Sequence, residues 1–282
     1  MTEPVQSTNV RLALPPELVM HATCYLPQRS RYTILRALLV VSRNVYAAVL
    51  PALYRTVVLV SSESYERFAR AAQMVPTPYF LGYVRNVVFG PSYDSVKIFG
   101  HDGHLTFCTD IVLWNCPNIR NIQTCASVLQ RSLVRPSVFR FERMYLRVEA
   151  KRCDQMLSSA YANLGRLHVG DPESFALADG PTSVHAFFNT DSFPRLEIFS
   201  STWPPKPTRE WAYILDMDAQ IQYTLLQDII ASVLGLPSVQ QVIVYNRRWS
   251  FDPPANLERF SGELRLHIQE LQCLEAEKQA LF

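Results

Sequence analysis

Glycine, charge and long apolar runs are what this chain is short of, and each shortage removes a class of function. Nine glycines in 282 residues leave little material for a loop whose bare backbone cradles a phosphate. The chain contains no G-x-x-x-x-G-K-[ST], no dinucleotide glycine fingerprint, no G-x-S-x-G and no H-E-x-x-H. No enzymatic activity and no cofactor are therefore expected. Charged residues make up only 18%, with a formal net charge of +2, whereas a dedicated nucleic-acid binder shows a concentrated basic surface. The apolar run at residues 34–41 is interrupted by Arg36 and falls well short of the ~18 residues that suggest a membrane span. Residues 1–9 are polar and include Glu3 and Pro4, which does not fit a signal peptide. Neither nucleic acid nor a membrane is expected as a partner, and the predicted location is the cytoplasm, the nucleus or both.

Cysteine usage agrees with a reducing compartment. Cys24, Cys108, Cys116, Cys125, Cys153 and Cys273 are scattered, with no C-x-x-C and no regular framework. Joining His101 and His104 to Cys108, Cys116 and Cys125 gives no zinc spacing, so the six read as buried structural thiols and no metal is expected. The cluster Gly100-His101-Asp102-Gly103-His104 reads as an exposed turn. Asp216 and Asp218 read as a helix-start pair rather than as paired acids.

What the chain does have is 48% hydrophobic residues, enough for one large core or for a small domain followed by a larger one. Leu14-Pro15-Pro16-Glu17-Leu18 opens a short apolar segment with a helix-start signal. Proline suits the first turn because its missing N–H would be unpaired there, and Glu17 meets the positive end of the helix dipole. Tyr25-Leu26, then Leu38-Leu39-Val40-Val41-Ser42-Arg43, then Leu53-Tyr54-Arg55-Thr56-Val57 follow in order. With this order and spacing the segment resembles the F-box found at the start of fungal F-box-like proteins, over roughly residues 11–60. Ala22 and Thr23 stand where that family usually has large aliphatics.

The resemblance implies a three-helix module that docks on a Skp-family adaptor within a cullin-based SCF ubiquitin ligase. On the family pattern the docking residues are Leu14, Pro15, Leu18, Leu26, Leu39, Val41 and Arg43. Residues 1–60 carry six arginines against Glu3 and Glu17, a balance that favours encounter with the acidic adaptor the family uses. Lysine is scarce, with Lys97, Lys151, Lys206 and Lys278 set against 23 arginines. A GC-rich coding sequence accounts for that bias, and few acceptor amines would also spare a ligase component from self-modification.

Beyond residue 60 a triplet recurs: apolar, two variable, apolar, one variable, usually apolar. It appears at Val84/Val87/Phe89, Ile119/Ile122/Thr124, Phe141/Met144/Leu146, Leu164/Leu167/Val169, Phe193/Leu196/Ile198 and Val239/Val242/Val244, with starts 35, 22, 23, 29 and 46 residues apart. The pattern resembles a degenerate leucine-rich repeat without its usual asparagine. The expected fold class is therefore α/β: a three-helix F-box-like module at 11–60, then an irregular leucine-rich-repeat-like solenoid at 61–282 that binds a client. A helix is predicted over 214–234, and a closing helix is read from Leu257, Phe260, Leu264, Ile268 and Leu271 after the cap signal Asp252.

In such strands the residues between the apolar ones line the concave face. Arg143, Arg166 and Arg195 would occupy one slot in three successive strands, about 4.8 Å apart, forming a ladder of guanidiniums. Arginine is suited to bidentate carboxylate or phosphate contacts, so Arg143, Tyr145, Arg166, His168 and Arg195 are the candidate binding residues for an acidic or phosphorylated protein client. The plainer reading is a solvated face in an arginine-rich chain. An alternative from another class is a repeat-based interaction scaffold outside ubiquitin transfer, capped by the F-box-like segment, for which less exposed apolar surface would suffice. A divergent hydrolase would need a nucleophile beside His168 or His185.

Overall fold

Two serines punctuate the first part of the chain. Ser42 has extended backbone and caps a helix, its hydroxyl accepting from the Val45 N–H at 3.2 Å. Ser61 does the same for the next helix and exchanges bonds reciprocally with Ser64, so two helix-start donors are satisfied by side chains. The computed structural model describes residues 15, 18, 23, 28–74, 79–90, 110–125, 140–147, 161–170, 188, 190–203, 219–246, 257, 260, 262–263 and 265–281. The chain divides into two compact units, Met1–Arg55 and Thr56–Phe282.

The first unit holds α1 (Gln28–Leu38) and α2 (Arg43–Tyr54), joined by a turn at 39–41. Leu35, Val49 and Leu50 are its buried residues on these helices. Leu18 and Thr23 are helical, as the predicted first helix requires, while Leu14 and Leu26 lie outside the described residues. The unit ends at Arg55 rather than at residue 60, because the β-branched run after it, Thr56–Leu59, is the first strand of the sheet.

The second unit is a single all-parallel sheet of eight strands in the order β1 to β8. The strands are β1 (Thr56–Leu59), β2 (Asn86–Phe89), β3 (Asn121–Cys125), β4 (Arg143–Arg147), β5 (Arg166–Val169), β6 (Ile198–Trp203), β7 (Gln241–Asn246) and β8 (Leu266–Glu270). Helices α3 (Ser62–Ala72), α4 (Ala219–Leu234) and α5 (Leu271–Leu281) follow β1, β6 and β8 respectively. One sheet face builds the main core, with Val87, Ile122, Met144, Leu167, Phe199 and Val242 side by side in adjacent strands and all at most 1% exposed. Tyr65 of α3 stacks on Phe89 of β2 at 5.7 Å, and Ile229, Ile230 and Val233 of α4 close the core further along.

This architecture corrects the expected solenoid. The spaced triplets do mark strands, but those strands belong to one continuous parallel sheet, an α/β fold. They do not form a column of like repeats. Connections as unequal as the intervals of 35, 22, 23, 29 and 46 residues do not define a constant unit; what the strands share is the sheet.

The fifth triplet also slips. Leu167 pairs with Phe199 and Val169 with Ser201, so the slots matching Leu164, Leu167 and Val169 are Leu196, Phe199 and Ser201. Phe193 is buried in the main core as well, and of the expected triplet only Ile198 turns to the other face. The apolar pattern fails there because Ser201 occupies a core slot, wholly buried, with its Oγ donating to the Val169 carbonyl at 3.0 Å. The closing helix shifts too: Leu266 and Ile268 alternate along β8, and the helix starts at Leu271. Residues 214–218, Asp252 and the cluster at 100–104 lie outside the described residues.

A main-chain device fixes where the strands start. The Arg85 carbonyl accepts from the N–H groups of both Arg120 and Asn121, at 2.8 and 3.0 Å. The carbonyls of Arg120, Glu142, Gly165 and Glu197 each accept in the same way from two successive N–H groups of the next strand, at 2.7–3.2 Å. Gly90 shows how closely the first two connections pass: a Cβ there would lie 2.8 Å from Val60 Cα.

Candidate functional site

In the first unit, the turn between α1 and α2 carries the largest apolar exposure. Val40 is 87% exposed and Val41 64%, and Leu18 reaches 58%. Tyr32, Ile34 and Tyr46 are also exposed, with Arg36 standing 5.9 Å over the Tyr32 ring. Val40 and Val41 lie out because the chain leaves α1 there and Ser42 caps α2 immediately afterwards; no turn of either helix remains to fold them inward. Of the predicted docking residues, Pro15, Leu18, Val41 and Arg43 are exposed, Leu39 is half-buried, and Leu14 and Leu26 are outside the described residues. Thr23, which stands where the family usually has a large aliphatic, is buried. Burial, with smaller contributions from Tyr32 and Tyr46, raises the Tyr54 phenol.

In the sheet unit, the face opposite the main core carries four of the five predicted client residues, Arg143, Tyr145, Arg166 and His168. At its β1 side it opens with a polar chain: Asn86 Nδ2 donates to Thr56 Oγ1 at 2.9 Å, and Asn121 Nδ2 donates to Asn86 Oδ1 at 2.8 Å. Asn121 is paired in register with Arg143, and Arg143 with Arg166. The next partner of Arg166 is Ile198, so the three-arginine ladder does not form. Arg195 stands in the turn before β6, where its guanidinium donates to Asn163 Oδ1 at 3.3 Å. The slip at Ser201 is the cause.

Tyr145 and His168 lie on this face, each 2% exposed. They are covered, with Tyr245 and Ile243, by α5, whose Leu274 completes a second small hydrophobic cluster. The His168 ring lies 5.9 Å from the rings of both Tyr145 and Tyr245. Its Nδ1 is 3.0 Å from Ser200 Oγ and its Nε2 is 3.4 Å from Thr202 Oγ1. Arg166 donates to the Tyr245 hydroxyl at 3.4 Å, and Lys278 Nζ stands 6.0 Å over the Tyr145 ring. Burial above all, and then Lys278 and Arg166, hold the His168 imidazole well below its ordinary range.

The Ser200–His168 spacing is one a hydroxyl nucleophile and its base would need. The surroundings oppose that chemistry. Both side chains are buried, two cations weaken the imidazole as a base, and on the described strand positions of this face no carboxylate stands to hold an imidazolium. What the arrangement does instead is bury a histidine whose charged form is disfavoured, with both ring nitrogens near hydroxyls.

Of the cysteines, Cys116 is buried and its thiol is pushed up to about 12 by desolvation, while Cys273 on α5 is exposed, contrary to the reading of all six as buried. Among the described residues no helix is long and apolar enough to cross a membrane. No protein-family model matches the chain and no curated protein matches it, so the F-box resemblance rests on the residues that carry it.

Proposed function

We propose that this chain is the substrate-recognition adaptor of an SCF-type cullin ubiquitin ligase, working in the cytoplasm, the nucleus or both. The first unit docks on a Skp-family adaptor and the sheet unit holds a protein client. The observation that supports this reading is the exposed apolar turn of the first unit: Leu18, Val40 and Val41 are all more than half exposed. Adjacent large aliphatics left in water on so small a helical unit suit a surface that a partner covers. Arg43 beside them, and the basic balance of residues 1–60, suit an acidic partner. The chain itself performs no chemistry in this scheme; it raises the client's effective concentration beside the ligase's other subunits.

The test is direct binding of the purified chain to a Skp-family adaptor. Replacing Val40 and Val41 together with Asp should weaken binding more than tenfold, since burying one such side chain is worth about 1.5–3 kcal/mol. The thermal transition of the sheet should be unchanged. An absence of binding by the unaltered chain, or equal binding by the double variant, would sink the reading.

A further inference from the structure

Among its described side chains, helix α5 sends one buried leucine onto the sheet. Of its described side chains, Leu274 is the buried one, at 1%, while Gln272, Cys273, Glu275 and Ala276 are exposed. Leu274 packs with Tyr145, Ile243 and Tyr245 in a cluster separate from the main core. One turn further on, Lys278 stands over the Tyr145 ring and pairs at 3.5 Å with Glu275 of its own helix, whose side chain is 58% exposed. Leucine and lysine at this i, i+4 spacing share one helix face, and that face is the one laid on the sheet.

The leucine matches the apolar part of the seat, and the described charged positions around it are basic. The described strand positions of this face carry Arg143, Arg147, Arg166, His168 and His267 and no carboxylate. Arg143 is exposed beside the covered part and Arg166 is half-buried. Lys278 adds a further positive charge to this neighbourhood. A helix presenting the same leucine with a carboxylate at the lysine position would keep the packing and gain attraction to Arg166 in a partly desolvated site.

We propose that α5 is a displaceable strap occupying the client seat. The segment that displaces it is an amphipathic helix of a partner protein with a leucine and, one turn later, an aspartate or glutamate. This rests on reading the sheet as the client-holding unit and supplies the chemistry of that client; it does not depend on adaptor docking, which the valine variants read separately.

The test uses the full chain. Amide exchange should be faster in α5 than in β7, and Leu274→Ala should accelerate it in α5 by about tenfold or more while leaving the amides of β7 unchanged. A labelled peptide of residues 271–281 with the Lys278→Glu change should bind the Leu274→Ala chain at least about threefold more tightly than the native peptide, with the difference shrinking as salt rises. Acceleration of β7 in step with α5 would make the helix an integral part of the fold and overturn the strap. Equal or tighter binding of the native peptide would overturn the acidic partner.

Discussion

The register of β6 is open to a decisive comparison between neighbours in sequence. Phe199 is 1% exposed, faces the main core and meets the Phe188 ring edge-on at 5.3 Å. Ile198 points to the opposite face and is half-buried. Truncating a buried phenylalanine to alanine costs about 3–5 kcal/mol, and a fully buried isoleucine about 2–5 kcal/mol. Scaled for its partial burial, Ile198→Ala should cost roughly 1–2 kcal/mol. In a domain of this size each kcal/mol lowers the melting temperature by about 2–4 °C. Phe199→Ala should therefore lose roughly 6–20 °C, and Ile198→Ala a few degrees. Scanning calorimetry gives the shift, and urea titration with an unchanged m-value confirms that stability, not the extent of unfolding, has moved. If Ile198→Ala destabilises as much as Phe199→Ala, the strand is turned over, since a one-residue slip exchanges the faces. The triplet Phe193/Leu196/Ile198 would then be restored, and Arg195 with it to the face.

Two further outcomes follow from groups buried in the same unit. The His168 pKa is lower folded than unfolded, so its contribution to stability is complete above the unfolded value of ~6.5 and is lost as pH falls from there toward the folded one. The difference in unfolding free energy between the native chain and His168→Gln should shrink on acidification, with a slope approaching about 1.4 kcal/mol per pH unit; a difference independent of pH would refute a neutral, buried imidazole. Cys116, with its thiol at about 12, should resist alkylation at pH 8 in the folded chain while Cys273 reacts, and mass spectrometry showing modification of Cys116 at the rate of Cys273 would contradict its burial.

Strands were legible in the sequence wherever aliphatics filled the core slots, as at Val84/Val87/Phe89 and Leu164/Leu167/Val169. The reading failed at β6, where buried Ser201 satisfies its hydroxyl on a neighbouring carbonyl and so imitates an outward position. It failed again near Leu264–Leu271, where apolar residues fit both a two-residue and a helical period until pairing with β7 decides for the strand. The covering of Tyr145 and His168 was not legible at all. It comes from a helix more than a hundred residues further along, which announces itself by a single buried leucine among its described side chains. In the first unit Pro15, Leu18, Val41 and Arg43 are exposed and Leu39 is half-buried, while Val40, the most exposed of the large hydrophobics there, was not among the expected docking residues.

The row of carbonyls at Arg85, Arg120, Glu142, Gly165 and Glu197, each taking two N–H groups from the strand that follows, bears on how this chain tolerates change. No side chain takes part, so arginine, glutamate and glycine serve equally, and drift at those positions leaves the alignment of the strands untouched. The anchoring is also local to each junction, so the alignment of one pair of strands does not depend on the length of chain that joins another pair, although Tyr65, Val112, Tyr161 and Ile229 in the connections are themselves core residues. A substitution to proline at Asn121, Arg143, Arg166, Ile198 or Gln241 is the change this arrangement cannot absorb, because it deletes one of the two donors where no side chain stands in for it. The sheet is thus a frame whose strand spacing is set by main chain, while what its connections must keep is the few side chains they send into the core.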